Sequence, residues 1–318
     1  MPEPTPVAVL FGPTGSGKTA LLEQLFLENP AFSGRAEIVS SDSMQVYRGM
    51  DIGTAKPSPE LQALLPHHLI DILDPWEPFN VGEFVRLADR ACTDIASRGA
   101  APVVSGGAGF YLTRFIRGLP GAPPSDRSIR RKLREELNTG GVDPLIAELQ
   151  ARDPESAFRI HRNDVYRLLR ALEVIRLSGR PLSSFSLFSE GSRPAYRFII
   201  IGLERARSDL YRRIDLRCAA MFRAGLPEEV RRLFDAGYTP RDPGLRAIGY
   251  KEFFEEAPDG TYRLKEDPEP VAALIRRNCR RYAKRQITCF SAIPGVLWIS
   301  AEDDPARHIT RALHGFFP

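Results

Sequence analysis

The run Gly12-Pro13-Thr14-Gly15-Ser16-Gly17-Lys18-Thr19 satisfies the pattern G-x-x-x-x-G-K-[ST] at every position. Its surroundings are those the pattern requires. Val7-Ala8-Val9-Leu10-Phe11 before it reads as a buried strand, and Ala20 to Phe26 after it carries apolar residues at helical spacing. A glycine-rich turn from strand to helix N-terminus aims backbone N–H groups and the positive end of the helix dipole at an anion. Lys18 would add a point charge on the outer phosphates, and Thr19 a hydroxyl for Mg²⁺ or a phosphate oxygen. The loop reports a di- or triphosphate and serves equally as an ATP-binding motif; it does not say which molecule carries the phosphates.

A phosphate loop needs a parallel sheet behind it, and the sequence supplies one. Glu37-Ile38-Val39-Ser40 is a short apolar run, Glu83 to Ser97 has helical spacing, and Pro102-Val103-Val104-Ser105 is a second buried run. Strands alternating with helices predict a parallel sheet covered on both faces, with ligands at the carboxyl ends of its strands. Three segments should therefore converge: the phosphate loop, Ser41-Asp42-Ser43 and Gly106-Gly107-Ala108-Gly109. The breaker cluster Pro120-Gly121-Ala122-Pro123-Pro124 marks a boundary. Beyond it, Ser128 to Asn138, Asp143 to Arg152 and Asp164 to Ser178 read as helices, the last closed by Gly179. Tyr196 to Gly202 reverts to a strand. The expected organisation is an α/β core over 1–122 and 196–318, interrupted by a helical insertion at 123–195. The remainder of the core is expected to be helical apart from a late strand, Val296 to Ile299.

Bulk properties exclude other classes. The chain has 318 residues, 43% hydrophobic and 26% charged, as in ordinary soluble domains. No apolar run reaches membrane-spanning length and the N-terminus lacks a signal-peptide layout, so a cytoplasmic location without membrane contact is expected. Cys92, Cys218, Cys279 and Cys289 are far apart and read as reduced thiols, with neither disulfide framework nor zinc site. His67-His68 and His161 show no ligand spacing and read as structural or surface residues. Net charge is only +4, so an anionic partner must be met by local clusters. One such cluster stands out. Arg276, Arg280 and Lys284 are spaced four apart, as are Arg277, Arg281 and Arg285. On a helix the two rows form one basic face without an acid, while Ile275, Cys279, Tyr282, Gln286 and Phe290 turn toward the core. Such a face suits nucleic-acid phosphates. Arg127, Arg130, Arg131, Lys132 and Arg134 form a second group, diluted by Glu135 and Glu136.

Two positions stay open on residue chemistry alone. Asp42, just past a strand end beside the phosphate loop, could hold Mg²⁺ through water, act as a general base, or be a turn residue. Arg212, Arg213 and Arg217 could reach a diphosphate, or form ordinary helix ion pairs with Asp209 and Asp215.

The run from Asp42 to Pro57, DSMQVYRGMDIGTAKP, following GPTGSGKT, closely resembles the tRNA dimethylallyltransferases (tRNA isopentenyltransferases). The resemblance continues through His67 to Asp71, Gly106-Gly107, His161 to Asp164, Arg170 to Val174, Ile248-Gly249-Tyr250 and Lys284 to Thr288, in order along nearly the whole chain. It implies a monomeric transferase with a P-loop NTPase-like fold that moves a dimethylallyl group from dimethylallyl diphosphate to N6 of adenosine 37 in the tRNA anticodon stem-loop. The diphosphate-binding residues would be Gly12, Pro13, Thr14, Gly15, Ser16, Gly17, Lys18 and Thr19, with Mg²⁺ on Thr19. Asp42 would be the general base, and Lys18, Thr19 and Arg217 would stabilise the leaving diphosphate. Implied tRNA contacts are Asp42, Ser43, Met44, Gln45, Ala108, Arg130, Tyr166, Arg167, Leu168, Leu169, Arg170, Arg246, Gly249, Tyr250 and Lys251. The resemblance extends them to Lys284, Arg285 and Gln286, and the spacing of the basic helix adds Arg277 and Arg281. The helical insertion would clamp the stem-loop.

Ala108 stands where the family usually has Thr, and Cys289-Phe290-Ser291 replaces a usual Trp and basic residue, which costs a hydroxyl, stacking and charge. No C-terminal zinc finger follows, so a bacterial-type enzyme is expected. Competing readings are an adenylate isopentenyltransferase making free cytokinin, which would not need the basic helix or the insertion, a P-loop small-molecule kinase, and a non-catalytic RNA-binding protein.

Overall fold

The computed structural model describes residues 3–185 and 193–317. Residues 186–192, which fall within the expected insertion at 123–195, lie outside the described residues. The chain forms two compact units, one from Met1–Ile116 with Pro194–Pro318, the other from Arg117–Arg193.

In the first unit β1 (Thr5–Phe11) leads through the phosphate loop into α1 (Lys18–Glu23), which runs on as a π-helical turn to Glu28. Then follow β2 (Ala36–Ser41), α2 (Pro59–Leu64), β3 (His67–His68), α3 (Val81–Ser97), β4 (Ala101–Gly106) and α4 (Gly109–Arg117). The strands β1, β2, β3 and β4 join two later ones, β5 (Tyr196–Glu204) and β8 (Leu297–Ser300), in one sheet of order β3-β2-β4-β1-β5-β8. Every pairing is parallel, with Val9 opposite Val104 and Ile200. β1 is apolar at successive positions because both its faces are covered. Val7, Val9 and Phe11 face one layer, with Phe84, Ala88 and Ile95 of α3 and Leu112 and Phe115 of α4. Ala8 and Leu10 face the other, with Leu21, Leu22 and Leu25, and with Ile309 and Leu313 of a last helix, Pro305–Leu313. The alternation is the two-residue period of a strand, read out as two cores.

A third core holds the C-terminal half of this unit. Helices α9 (Arg207–Arg223), α10 (Leu226–Asp235) and α11 (Pro268–Phe290) bury Cys218, Leu226, Val230, Val271 and Ile275 against Val46, Tyr47 and Met50. Here the structure corrects the expectation of an all-helical stretch. β6 (Phe254–Glu256) pairs antiparallel with β7 (Tyr262–Leu264). The hairpin turns at Asp259-Gly260, with Gly260 at φ +81° and Asp259 accepting the Thr261 N–H at 2.9 Å. Strands of three residues leave no periodicity to detect, although Asp-Gly is itself a hairpin signal.

The second unit contains α5 (Arg127–Gly140), α6 (Asp143–Arg152), α7 (Pro154–Arg159) and α8 (Val165–Ser178). Asp126, Asp153 and Asp164 cap the starts of α5, α7 and α8 with their carboxylates, and Gly179 ends α8 at φ +71°. Leu133, Leu145, Leu149, Leu168, Leu172 and Ile175 form its core.

Candidate functional site

The phosphate loop closes on itself and on α9. Gly15 and Gly17 take φ of +83° and +102°, a left-handed conformation that costs glycine little. Nζ of Lys18 donates to the carbonyls of Gly12 at 2.7 Å and Pro13 at 3.1 Å. From outside, Nε of Arg213 donates to the Gly15 carbonyl at 2.8 Å and Nε of Arg205 to that of Ser16 at 3.3 Å. With those carbonyls tied back, the first N–H groups of α1, which have no intrahelical acceptor, remain as the loop's donors to an anion.

The three α9 arginines that spacing left open have different fates. Arg212 pairs with Asp209 on the surface. Arg213 braces the loop. Arg217 is half-buried and its Nη1 donates to the Thr14 hydroxyl at 3.3 Å. Burial pulls its guanidinium below the usual arginine range. The Lys18 ammonium is pushed down to about 8, first by burial and then by the positive charge of Arg217, against the pull of Asp42. Two cations and one carboxylate thus share one partly desolvated place, a feature of functional sites.

Asp42 lies immediately beyond β2. Its Oδ1 accepts the Met44 N–H at 2.9 Å, which fixes the carboxylate in a turn. It lines a cavity of about 890 Å³ together with Thr14, Lys18, Thr19, Arg217 and Tyr282. The Tyr282 phenol is held well above its ordinary range by burial and by the negative charge of Asp42. Ser43, Met44 and Gln45 border the same cavity, as do Gly15, Gly17, Gly107, Arg246, Gly249, Lys251, Arg285 and Gln286. The three segments expected at the strand ends do converge.

Other candidate residues are placed elsewhere. Ala108 is buried, its N–H donating to the Ser41 carbonyl at 3.1 Å. Tyr250 is fully buried, and its hydroxyl donates to Glu229 at 2.6 Å. Leu168 and Leu169 belong to the core of the helical unit. Gln286 is 4% exposed and uses its amide inside the protein, on Thr14 and Gly107. The side chains of these residues pack inside the protein or bridge its segments. In the helical unit, Tyr166 and Arg167 are exposed, and Arg130 lies over the Tyr166 ring at 5.1 Å. Arg170 donates to Glu173 at 2.8 Å and to the Pro123 carbonyl at 2.5 Å.

The basic face of α11 also needs correction. Arg276 pairs with Glu269 at 2.9 Å, and Arg280 pairs with Asp215. Arg277, Arg281, Lys284 and Arg285 are exposed, and among the described residues none of them has an ion-pair partner. Glu269 lies seven residues before Arg276, and Asp215 lies on α9, so neither acid belongs to the run that carries the six cations. At the end of α11, Phe290 is buried with its ring 4.6 Å from that of Phe11, so this departure serves the core. His68 meets Glu37 at 2.7 Å, and His67 meets the Leu65 carbonyl at 2.6 Å while bordering the cavity.

Among the described residues no group of three His, Cys, Asp or Glu could hold a metal ion. The exposed Thr19 hydroxyl is the phosphate loop's oxygen donor at the start of α1. One protein oxygen supplemented by phosphate oxygens is a usual environment for Mg²⁺, so the donor set fits that ion in company with a diphosphate.

A family model described as IPP transferase matches residues 45–292. The chain is 44% identical over 295 residues to a tRNA dimethylallyltransferase of Geobacter sulfurreducens, covering 93% of this chain and 92% of that one. It is 45% identical to tRNA dimethylallyltransferase 2 of Geotalea uraniireducens, over 92% of this chain and 91% of that one. Among solved structures, the full-length tRNA isopentenylpyrophosphate transferase of Bacillus halodurans matches with a TM-score of 0.66 at 36% identity, covering 98% and 97% of the two chains. A eukaryotic dimethylallyltransferase, solved acting on tRNA, matches with a TM-score of 0.79 at 26% identity, over 98% of this chain and 79% of that one.

Proposed function

The chain belongs to the IPP transferase family, and we propose that it prenylates tRNA, moving a dimethylallyl group from dimethylallyl diphosphate to N6 of adenosine 37 with release of diphosphate. The observation that carries this reading is the sharing of one cavity by Asp42, Lys18, Thr19 and Arg217. An exocyclic adenine amine is a weak nucleophile because its lone pair is delocalised into the ring. Asp42 accepts the N6 proton as the N6–carbon bond forms and the carbon–oxygen bond to diphosphate breaks. General bases of this kind contribute ~10²–10⁴ in rate. The leaving diphosphate takes the electron pair, and the loop N–H groups, Lys18 and Arg217 stabilise its charge. Mg²⁺, when bound with the diphosphate, would add further neutralisation beside the Thr19 hydroxyl. The target base must leave its stack to reach the cavity, at a cost of a few kcal/mol. The exposed cations of α11, together with Arg130, Tyr166 and Arg167 of the helical unit, are the proposed stem-loop contacts. The protein acts as a monomer in the cytoplasm on this reading.

The test is transfer from radiolabelled dimethylallyl diphosphate with Mg²⁺. The acceptors are an anticodon stem-loop with adenosine at 36 and 37, the same stem-loop with guanosine at 37, and AMP. Label on the first alone is the expected result. Label on AMP would shift the activity to cytokinin synthesis, and label on none would return the kinase and RNA-binding readings.

A further inference from the structure

One buried carboxylate in the first unit receives an unusual set of donors. Oε2 of Glu229 accepts the N–H groups of Asp51 at 3.0 Å and Ile52 at 2.9 Å, and Oε1 accepts that of Gly53 at 3.1 Å. Oε1 also accepts the Tyr250 hydroxyl at 2.6 Å. Glu229 is 1% exposed, and among the described residues no lysine or arginine is ion-paired with it. Its charge is met wholly by one segment of backbone and one phenol. Burying a carboxylate is costly unless hydrogen bonds compensate it, and here the compensation is spent on holding a loop.

That loop has little freedom. A Cβ on Gly53 would lie 2.4 Å from the Tyr250 ring, so only glycine fits between the ring and the cavity. Ala55 sits at φ +48°, a left-handed conformation that a non-glycine residue holds only when its surroundings impose it. Lys56 closes the far end, with Nζ donating to the Tyr47 carbonyl at 2.8 Å and to Asp51 at 2.6 Å.

The opposite side of the segment faces the cavity through Gly53, Thr54 and Ala55. From there a short chain of contacts leads to Asp42. Nε2 of Gln45 donates to the carbonyls of Thr54 at 3.3 Å and Ala55 at 3.2 Å, while its Oε1 accepts the Ser40 hydroxyl at 2.9 Å. Gln45 directly follows the residue whose N–H fixes the Asp42 carboxylate.

We propose that Glu229 is a positioning residue for the transfer: it fixes the 51–55 segment as the wall beside Asp42 and, through Gln45, holds the Asp42 turn in working geometry. This rests on the transfer reading above. Glu229→Gln keeps the side-chain volume but sets an NH₂ group against donors on one side of the cradle. Hydrogen–deuterium exchange is expected to accelerate at the amides of 51–53 and not at the phosphate loop. In steady-state assays on the stem-loop, kcat is expected to fall roughly 10²-fold, the scale of a misplaced catalytic group. The KM for dimethylallyl diphosphate should hold, because the phosphate loop is braced separately by Arg213 and Arg205. Tyr250→Phe, which removes one donor and keeps the ring, should give a smaller loss of kcat in the same direction; it carries the test if the glutamine variant does not fold. Faster exchange at 51–53 with wild-type kcat would overturn the proposal, and so would a rate loss matched by the unfolded fraction. A wild-type protein that transfers nothing to the stem-loop would sink the activity reading instead, while the exchange data would still report on the cradle.

Discussion

The backbone N–H of Thr14 donates to Oε1 of Gln286 at 2.9 Å, and Nε2 of the same side chain donates to the Gly107 carbonyl at 2.8 Å. One amide on the inner face of α11 therefore ties the helix that carries the exposed cations to the phosphate loop and to the turn after β4. A Cβ on Gly107 would lie 2.4 Å from that Nε2, so a side chain there would displace the amide from this bridge. Gln286 thus joins directly an element proposed to grip RNA and one proposed to grip diphosphate.

Gln286→Ala would leave the Thr14 N–H and the Gly107 carbonyl without their partner at a largely buried site. Each orphaned group costs ~1–3 kcal/mol, so urea denaturation should show a loss in that range or above. The KM for the diphosphate donor should rise as the loop loosens. Unchanged stability would mean that water replaces the amide and that the bridge is incidental.

Asp42→Asn tests the general base while sparing the turn. The asparagine Oδ1 can still accept the Met44 N–H that Asp42 accepts at 2.9 Å, so the local fold should persist. Single-turnover transfer is expected to fall by ~10²–10⁴, the usual contribution of a positioned base. Stem-loop affinity measured by filter binding should change far less. A variant with near wild-type turnover would leave Asp42 as a turn residue only.

What the sequence made legible was what local pattern encodes. The strand–loop–helix context of Lys18, the place of Asp42 past β2, and the Asp143–Arg152 helix are all set by neighbours within a few residues. The role of Gln286 was not legible, because its partners Thr14 and Gly107 lie far away in the chain. Glu229 was invisible for the same reason: Pro227-Glu228-Glu229-Val230 reads as an ordinary acidic helix start, and only the fold brings residues 51–53 to it. The pairing of Arg280 with Asp215 likewise needed the packing of α9 on α11. Spacing finds faces; long-range contacts decide what each face meets.

Lys18 predicts a pH dependence for donor binding. Its ammonium, lowered from 10.5 to about 8 by burial and by Arg217, is half deprotonated near pH 8 in the unliganded protein. Affinity for dimethylallyl diphosphate should therefore weaken as pH rises through about 8, as a cation that must be present for binding is deprotonated. The linkage to folding has the opposite sign. Between about 8 and 10.5 the folded state holds fewer protons than the unfolded chain, so the penalty for burying Lys18 is present below that window and is relieved as pH rises through it. Isothermal titration of the donor from pH 7 to 9.5, with Lys18→Arg as control, checks the first part. The arginine variant should show no break near 8.

The basic helix gives a prediction that separates cations by their partners. Arg277 and Arg281 are exposed and, among the described residues, have no ion pair, whereas Arg276 is held by Glu269 at 2.9 Å and Arg280 by Asp215. A cation free to neutralise a phosphate releases a counterion, so each such contact steepens the dependence of log affinity on log salt by about 0.7–0.9. Arg277→Ala and Arg281→Ala should each flatten the stem-loop slope by about that amount. Arg276→Ala and Arg280→Ala should flatten it less, because each of these cations is already neutralised by a carboxylate and neutralises no phosphate. Filter binding of the stem-loop across a salt series measures all four slopes. Equal effects at the four positions would mean that the ion pairs break on binding and that the whole face meets RNA. No effect at Arg277 and Arg281 would remove this face from the interface and leave the stem-loop to other surfaces.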